Sequence, residues 1–295
     1  MAEPLHIAFT MDCERIASQS PPGGPETWRQ SERAISGFCE FLLGEAMPPT
    51  LFLTPECALQ HRDLFEELAM RGVELGLHIH PQSLGDLRYT KYLGDYNGPE
   101  QRQIIRQGID VFVEAIGTRP MSFRSGNFSA SDETFAVLHE LGFQHGSVSN
   151  PGRNLSQYAA IWVGACPDVH WADATNRLQA GRLPFLEVPL TTDPARLRSN
   201  GTVHELRIES GPAESWHEPI IQQTLRCFGS SRAEFRFLCL FTHNLFDYSD
   251  PQTEQTITLR DLVQYLHGLR DRYDVTPATL SEIRERFVTT AEGYP

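Results

Sequence analysis

Four apolar runs in this chain each finish in ionisable side chains, and that pattern limits the folds open to it. Leu5–Met11 leads into Asp12 and Glu14. Val73–His80 closes with His78 and His80, followed by Pro81. Ser122-Phe123 leads into Arg124, and Phe237–Thr242 into His243. Short apolar runs of this kind are buried on both faces when they form a parallel sheet. In a parallel barrel the C-terminal strand ends share one face, so the charged groups can converge there. Carboxylates, imidazoles and a guanidinium gathered at one point have the composition of a hydrolytic metal site.

Strand-like and helix-period segments alternate along the chain. Strands are expected at Leu5–Met11, Thr50–Leu53, Val73–His80, Ser122–Arg124, Gln144–Val148, Leu183–Leu190, Phe235–Thr242 and Asp274–Thr276. Helices are expected at Glu26–Gly44, Cys57–Met70, Pro99–Ile116, from a Ser131 cap to Leu141, at Glu214–Phe228, Ile257–Tyr273 and Thr279–Phe287. Gln82–Gly98 reads as a loop, Asn150–Gly181 as irregular, and Arg196–Ser210 as an inserted hairpin or loop. This β-α repetition without a linker predicts one α/β domain over 1–295 with parallel strands. An open dinucleotide-binding sheet is disfavoured, because Asp12-Cys13-Glu14 stands where that fold places glycines.

The chain of 295 residues has a formal net charge of -13 and no run of Lys and Arg, which argues against a nucleic-acid or anionic-membrane partner. No apolar stretch reaches the length of a membrane span. The first residues lack a signal-like core, so a cytoplasmic location is expected. The six cysteines form no CxxC pair and read as free thiols in a reducing compartment.

Asp12 and Glu14, like His78 and His80, lie two apart and share a face of a regular strand. Two carboxylates aimed at one point stay ionised only beside a cation, and imidazole is a common ligand of zinc and similar metals. Arg124 suits a structural ion pair, or a pairing with Asp12 that keeps the carboxylate charged and oriented. Gly126 permits a tight turn or a close approach of substrate. His243 fits a core histidine as well as an acid that protonates a leaving amine, with Asp247 or Asp250 to orient it.

Together these motifs resemble the polysaccharide deacetylases, the NodB-homology group of carbohydrate esterase family 4. Phe9-Thr10-Met11-Asp12 is similar to the family's first motif, and Gly72-Val-Glu-Leu-Gly-Leu-His78-Ile-His80-Pro81 to its second. Phe123-Arg124 is similar to the third, and Leu238-Cys-Leu-Phe-Thr-His243 to the fifth. The resemblance spans nearly the whole chain. It implies a single distorted (β/α)7-type barrel and metal-dependent removal of acetyl groups from N-acetylated sugars. It assigns Asp12 as general base, Arg124 as its partner and His243 as general acid. His78, His80 and Glu14 become ligands of a divalent metal, with zinc expected, and Ser125, Gly126 and Asn127 become substrate-binding. The metal would polarise the acetyl carbonyl and its attacking water.

Three positions depart from the family pattern. The adjacent Asp-Asp is Asp12-Cys13 here, so Glu14 stands in for the missing ligand; Cys13 is a possible thiolate, though strand alternation points it elsewhere. The usual His-x-x-x-His is shortened to His78-x-His80. No fourth-motif Asp is identifiable. The expected activity is hydrolysis of an amide C–N bond, in an N-acetylated carbohydrate or in a small amide or cyclic imide. A carbohydrate-binding barrel without turnover is the non-enzymatic alternative.

Overall fold

The computed structural model describes residues 2–19, 23–85, 88–198, 200, 202–230 and 235–290. In chain order the strands are β1 (Glu3–Cys13), β2 (Thr50–Leu53), β3 (Glu74–Ile79), β4 (Ser122–Ser125), β5 (His145–Gly146), β6 (Asn154–Leu155) and β7 (Ala160–Ile161). They continue with β8 (His170–Ala172), β9 (Leu183–Glu187), β10 (Thr192–Leu197), β11 (Val203–Glu205), β12 (Phe237–His243) and β13 (Tyr273–Pro277). The helices are α1 (Trp28–Gly44), α2 (Pro55–Gln60), α3 (Arg62–Met70), α4 (Gly98–Ile116), α5 (Thr134–Glu140), α6 (Glu218–Ser230), α7 (Glu254–Gly268) and α8 (Leu280–Val288). Residues 86 and 87 of the expected loop, and 199 and 201 of the expected hairpin, lie outside the described residues.

The main sheet runs β12-β1-β2-β3-β4-β5-β9-β8 and is curled. Every pair along it is parallel except β8 with β9, an antiparallel addition at the edge that the sequence did not announce. The architecture is the expected distorted (β/α)7-type barrel, incompletely closed. β1 is its axis. One edge of β1 pairs with β12 from His6 to Asp12; the other pairs with β13 along its first half and with β2 along its second. All nine residues from Leu5 to Cys13 are buried, which explains the near-continuous apolar run.

Closure between the two ends is made by single hydrogen bonds rather than a ladder. Thr191 N–H donates to the Cys239 carbonyl (3.1 Å), and its hydroxyl accepts from Cys239 N–H (2.9 Å). Leu206 N–H then donates to the Thr191 carbonyl, and Phe241 N–H to the Leu206 carbonyl, both at 3.0 Å. The stretch after β11 is thereby held against β12, and the antiparallel β10–β11 pair projects from it as the anticipated hairpin, starting earlier than expected.

Helix ends follow local chemistry. Asn97 caps α4 in a reciprocal box with Glu100, Pro99 occupies its first turn, and Gly117 ends it with a left-handed φ of 82°. Thr279 and Glu282 form the same box on α8. The helix expected over Cys57–Met70 is two helices, because His61 leaves helical geometry and its Nε2 meets Ser31 Oγ at 3.0 Å. Ser131 does not cap a helix as expected: α5 starts at Thr134, and the Ser131 hydroxyl accepts from Glu133 N–H at 3.3 Å.

Glu187 at the end of β9 is buried, and its Oε1 accepts from Val148 N–H, Ser149 N–H and the Ser149 hydroxyl at 2.7–2.9 Å. Burial outweighs those donors and raises its pKa from 4.5 to about 7. A carboxyl raised in the folded state contributes stability that is full below pH 4.5 and is lost as pH rises through about 7. Glu187→Gln is therefore expected to melt like wild type at pH 5 and to be more stable at pH 8, by on the order of 2 kcal/mol. Thermal denaturation at both pH values checks this; equal differences at the two would refute it.

Candidate metal and catalytic site

The parallel register sets the site. Asp12 on β1 lies beside His243 on β12, and His78 on β3 beside Arg124 on β4. Arg124 is fully buried. Its Nη1 donates to Asp12 Oδ1 (2.7 Å) and to the Thr10 hydroxyl (2.9 Å), and its Nε donates to the Ser147 carbonyl (3.1 Å). Burial alone would raise the Asp12 pKa. Arg124, with His78 and His243, outweighs it and holds the carboxyl below its usual value, so Asp12 is ionised at neutral pH.

Beside Asp12, Glu14 Oε1 lies 3.2 Å from His78 Nε2 and 2.9 Å from His80 Nε2. The three side chains offer ligand atoms within 4.8 Å of one another. His78 Nδ1 is 3.0 Å from the Arg124 carbonyl and donates there, so Nε2 is the ring nitrogen that faces Glu14 and is open to a cation once it gives up its proton. Glu14 Oε2 is buried with no hydrogen-bond partner among the described residues, an open acceptor beside the two imidazoles. Burial opposes charge on His78, yet Asp12 and Glu14 raise its pKa; a field that favours a proton there favours a cation. Two imidazoles and a carboxylate are a common donor set for zinc, so the residues fit a divalent metal.

Two neighbours hold this geometry. Asn244 pins the backbone of Glu14, accepting from its N–H (2.8 Å) and donating to its carbonyl (3.0 Å). Gly126 packs against the His80 ring, and a Cβ built on it would fall inside the ring's van der Waals envelope. Cys13 points away from the site. Burial and a hydrogen bond with Cys57 push its thiol well above the usual range, so it is no thiolate ligand.

His243 Nδ1 lies 2.6 Å from Glu209 Oε1, and Thr242 donates its hydroxyl to Glu209 Oε2 (2.8 Å). The expected orienting groups, Asp247 and Asp250, do not reach it. Asp247 pairs with Arg33 and Ser249, and Asp250 accepts from Gln252 N–H in the turn before α7. Glu209 takes that place and lies in the stretch after β11, where no periodicity singled it out.

Asp12, Glu14, His80 and His243 line one cavity of about 310 Å³ with Asn127, Phe128, Arg153, Arg207 and Phe246. Asn127 has a left-handed φ of 58°, and its carbonyl accepts from Arg153 Nη1 (3.2 Å). Ser125 and Gly126 are buried and do not line the cavity; Ser125 Oγ has no hydrogen-bond partner among the described residues. The sequence reading missed Asn244, Glu209, Arg153 and Arg207. Only Asn244 carried a signal, its place next to His243.

No family model and no curated protein sequence matches the chain. Solved structures do. A candidate polysaccharide deacetylase from Mycobacterium smegmatis superposes with a TM-score of 0.62 at 15% identity, over 97% of this chain and 91% of that one. The chain has the polysaccharide-deacetylase fold. PuuE allantoinase matches with a TM-score of 0.63 at 14% identity, over 97% and 91%. A mutant of a family 4 carbohydrate esterase pseudoenzyme matches at 0.50 and 10% identity, over 96% and 68%. At these identities the likeness concerns the fold, and function has to be argued from the site. Among the described residues no helix is long and apolar enough to cross a membrane.

The close packing of Gly126 on His80 gives a test. Gly126→Ala is expected to displace the His80 ring and weaken zinc binding by about 10- to 100-fold, the range found when groups supporting a ligand are altered. Equilibrium dialysis against zinc measures this, with circular dichroism confirming an unchanged fold. Wild-type affinity in the variant would show that His80 is not a ligand.

Proposed function

We propose that this protein is a metal-dependent hydrolase of an amide C–N bond, removing the acyl group from an N-acetylated sugar or a related small amide. The observation that carries the reading is convergence on one cavity. An arginine-held carboxylate, a Glu-His-His donor group and a glutamate-held histidine all meet there. Glu14, His78 and His80 would hold the cation, and a divalent ion there supplies Lewis acidity to the amide carbonyl. Zinc is the reading that the donor set supports best.

The chain's own groups divide the proton work. Asp12, kept ionised by Arg124, accepts a proton from the attacking water. His243 donates Nδ1–H to Glu209, which leaves Nε2 to carry the proton delivered to the departing amine. Glu209 stabilises the imidazolium that this step requires; burial works against its charge, yet His243 and Arg207 hold its carboxyl below the usual value. The size of the cavity favours a single sugar or another small amide over a polymer threaded through it, since about 310 Å³ is at the small end of ligand sites.

Asp12→Asn is expected to lower acetyl release by about 10²–10⁴-fold, the usual worth of a positioned base. It should still bind about one zinc per chain, since Asp12 is outside the donor group, and should melt lower because Arg124 loses its counter-charge. Acetate release from N-acetylglucosamine and from small amides by zinc-loaded protein, with metal content by plasma mass spectrometry, is the measurement. Near-normal turnover in the variant would refute this assignment. No turnover by wild type on any amide would refute the hydrolase reading.

A further inference from the structure

The cavity is lined by groups of opposite chemistry. Asp12, Glu14 and His80 supply the acidic and imidazole part of the lining, and Arg153 and Arg207 the cationic part. Both arginines lean on one carboxylate. Glu205 Oε2 accepts from Arg153 Nη2 (2.9 Å) and from Asn150 Nδ2 (2.7 Å), while Oε1 lies 3.1 Å from Arg207 Nε. Glu205 is buried and does not line the cavity, so the two cations stand in front of their shared anion.

Glu209 is a more distant partner of Arg207. It lies 3.9 Å from Arg207 Nη1, and its two oxygens are engaged by His243 and Thr242. Arg153 lies 4.8 Å from the Phe128 ring centroid and Arg207 4.6 Å from that of Phe241; these rings meet edge to face with centroids 5.4 Å apart. The two planar donor groups are thus held in place before any ligand arrives, at little further entropic cost. Two guanidiniums therefore share Glu205 as their near anion while both line the cavity, in a chain whose net charge is -13.

We propose that Arg153 and Arg207 form an anion subsite that binds a carboxylate carried by the substrate on the side away from the scissile amide. The amide part of this statement rests on the function proposed above; the anion subsite rests on the two arginines alone. A carboxylate, planar and singly charged, matches two planar guanidiniums that already share Glu205 better than a dianionic phosphate does, because the same cavity carries Asp12 and Glu14. The substrate class is a small N-acylated acid, such as an N-acetylated sugar acid.

Three ligands on one scaffold test this: N-acetylglucosamine, its 6-carboxylate analogue (N-acetylglucosaminuronic acid) and its 6-phosphate. Calorimetric titration into metal-free, full-length protein at low salt reads binding without turnover. The carboxylate is expected to bind about 10- to 100-fold more tightly than the neutral sugar, the worth of a charge-assisted pair of bonds. Arg207→Gln should shrink that preference to about twofold and Arg207→Lys should keep part of it; circular dichroism checks that both are folded. Equal affinity for the carboxylate and neutral ligands, no saturable binding of the carboxylate, a preference for the phosphate, or a carboxylate preference untouched in Arg207→Gln would each overturn the proposal. Acetate release by the zinc-loaded protein separates the two readings. Turnover of the neutral sugar but not the carboxylate would overturn the subsite and leave the hydrolase standing. Carboxylate-selective binding without turnover of any of the three would keep the subsite and count against the hydrolase.

Discussion

A guanidinium with no access to solvent is the constraint around which the site is built. Removing a charge from water costs several kcal/mol unless it is paired and hydrogen-bonded, so Arg124 dictates what surrounds it. Asp12 and Thr10 on β1, the Ser147 carbonyl beyond β5 and the rings of Phe52, Phe128 and Phe241 all close on it. Its backbone carbonyl takes Nδ1–H of His78. One side chain thus fixes the charge of Asp12, while its own main chain orients the His78 ring.

The remaining polar groups extend that arrangement in both directions. On one side Asn244 holds Glu14 to the end of β12, joining the two ends of the chain's hydrogen-bonded core. On the other, Glu209 and Glu205 alternate with His243, Arg207 and Arg153, so that each buried charge has an opposite neighbour. Burial raises the cost of every charge, and the alternation offsets it; Glu205 is drawn down to about 2 by Arg153 and Arg207 despite complete burial.

Strand ends were readable because their signal is local. Asp12, His78, Arg124 and His243 each follow an apolar run, and two-residue alternation told which neighbours share a face. The short β5 and the added β8 were less distinct, since two- and three-residue strands carry no period. Glu209, Glu205 and the two cavity arginines were invisible for a different reason. They lie between β5 and α6, where the backbone is set by tertiary contacts such as Thr191 with Cys239, and nothing in the nearby sequence tells which acid turns inward. Asp247 and Asp250 were nearer to His243 in the chain, but local hydrogen bonds to Ser249 and Gln252 keep them in their own turn. The break at His61 was hidden likewise, because its partner Ser31 is thirty positions away.

The incomplete closure of the barrel has an evolutionary consequence. Asp12, His78, Arg124 and His243 reside on strand termini whose register is shared with the whole core, whereas Arg207 and Glu205 are carried by an excursion tied to β12 through a few backbone bonds. Lengthening or resequencing the β10–β11 tip would leave the ladders of β1, β3, β4 and β12 untouched. The proposed reaction chemistry and the proposed ligand choice thus sit on separate parts of the polypeptide, so that substitutions in the second can leave the first in place.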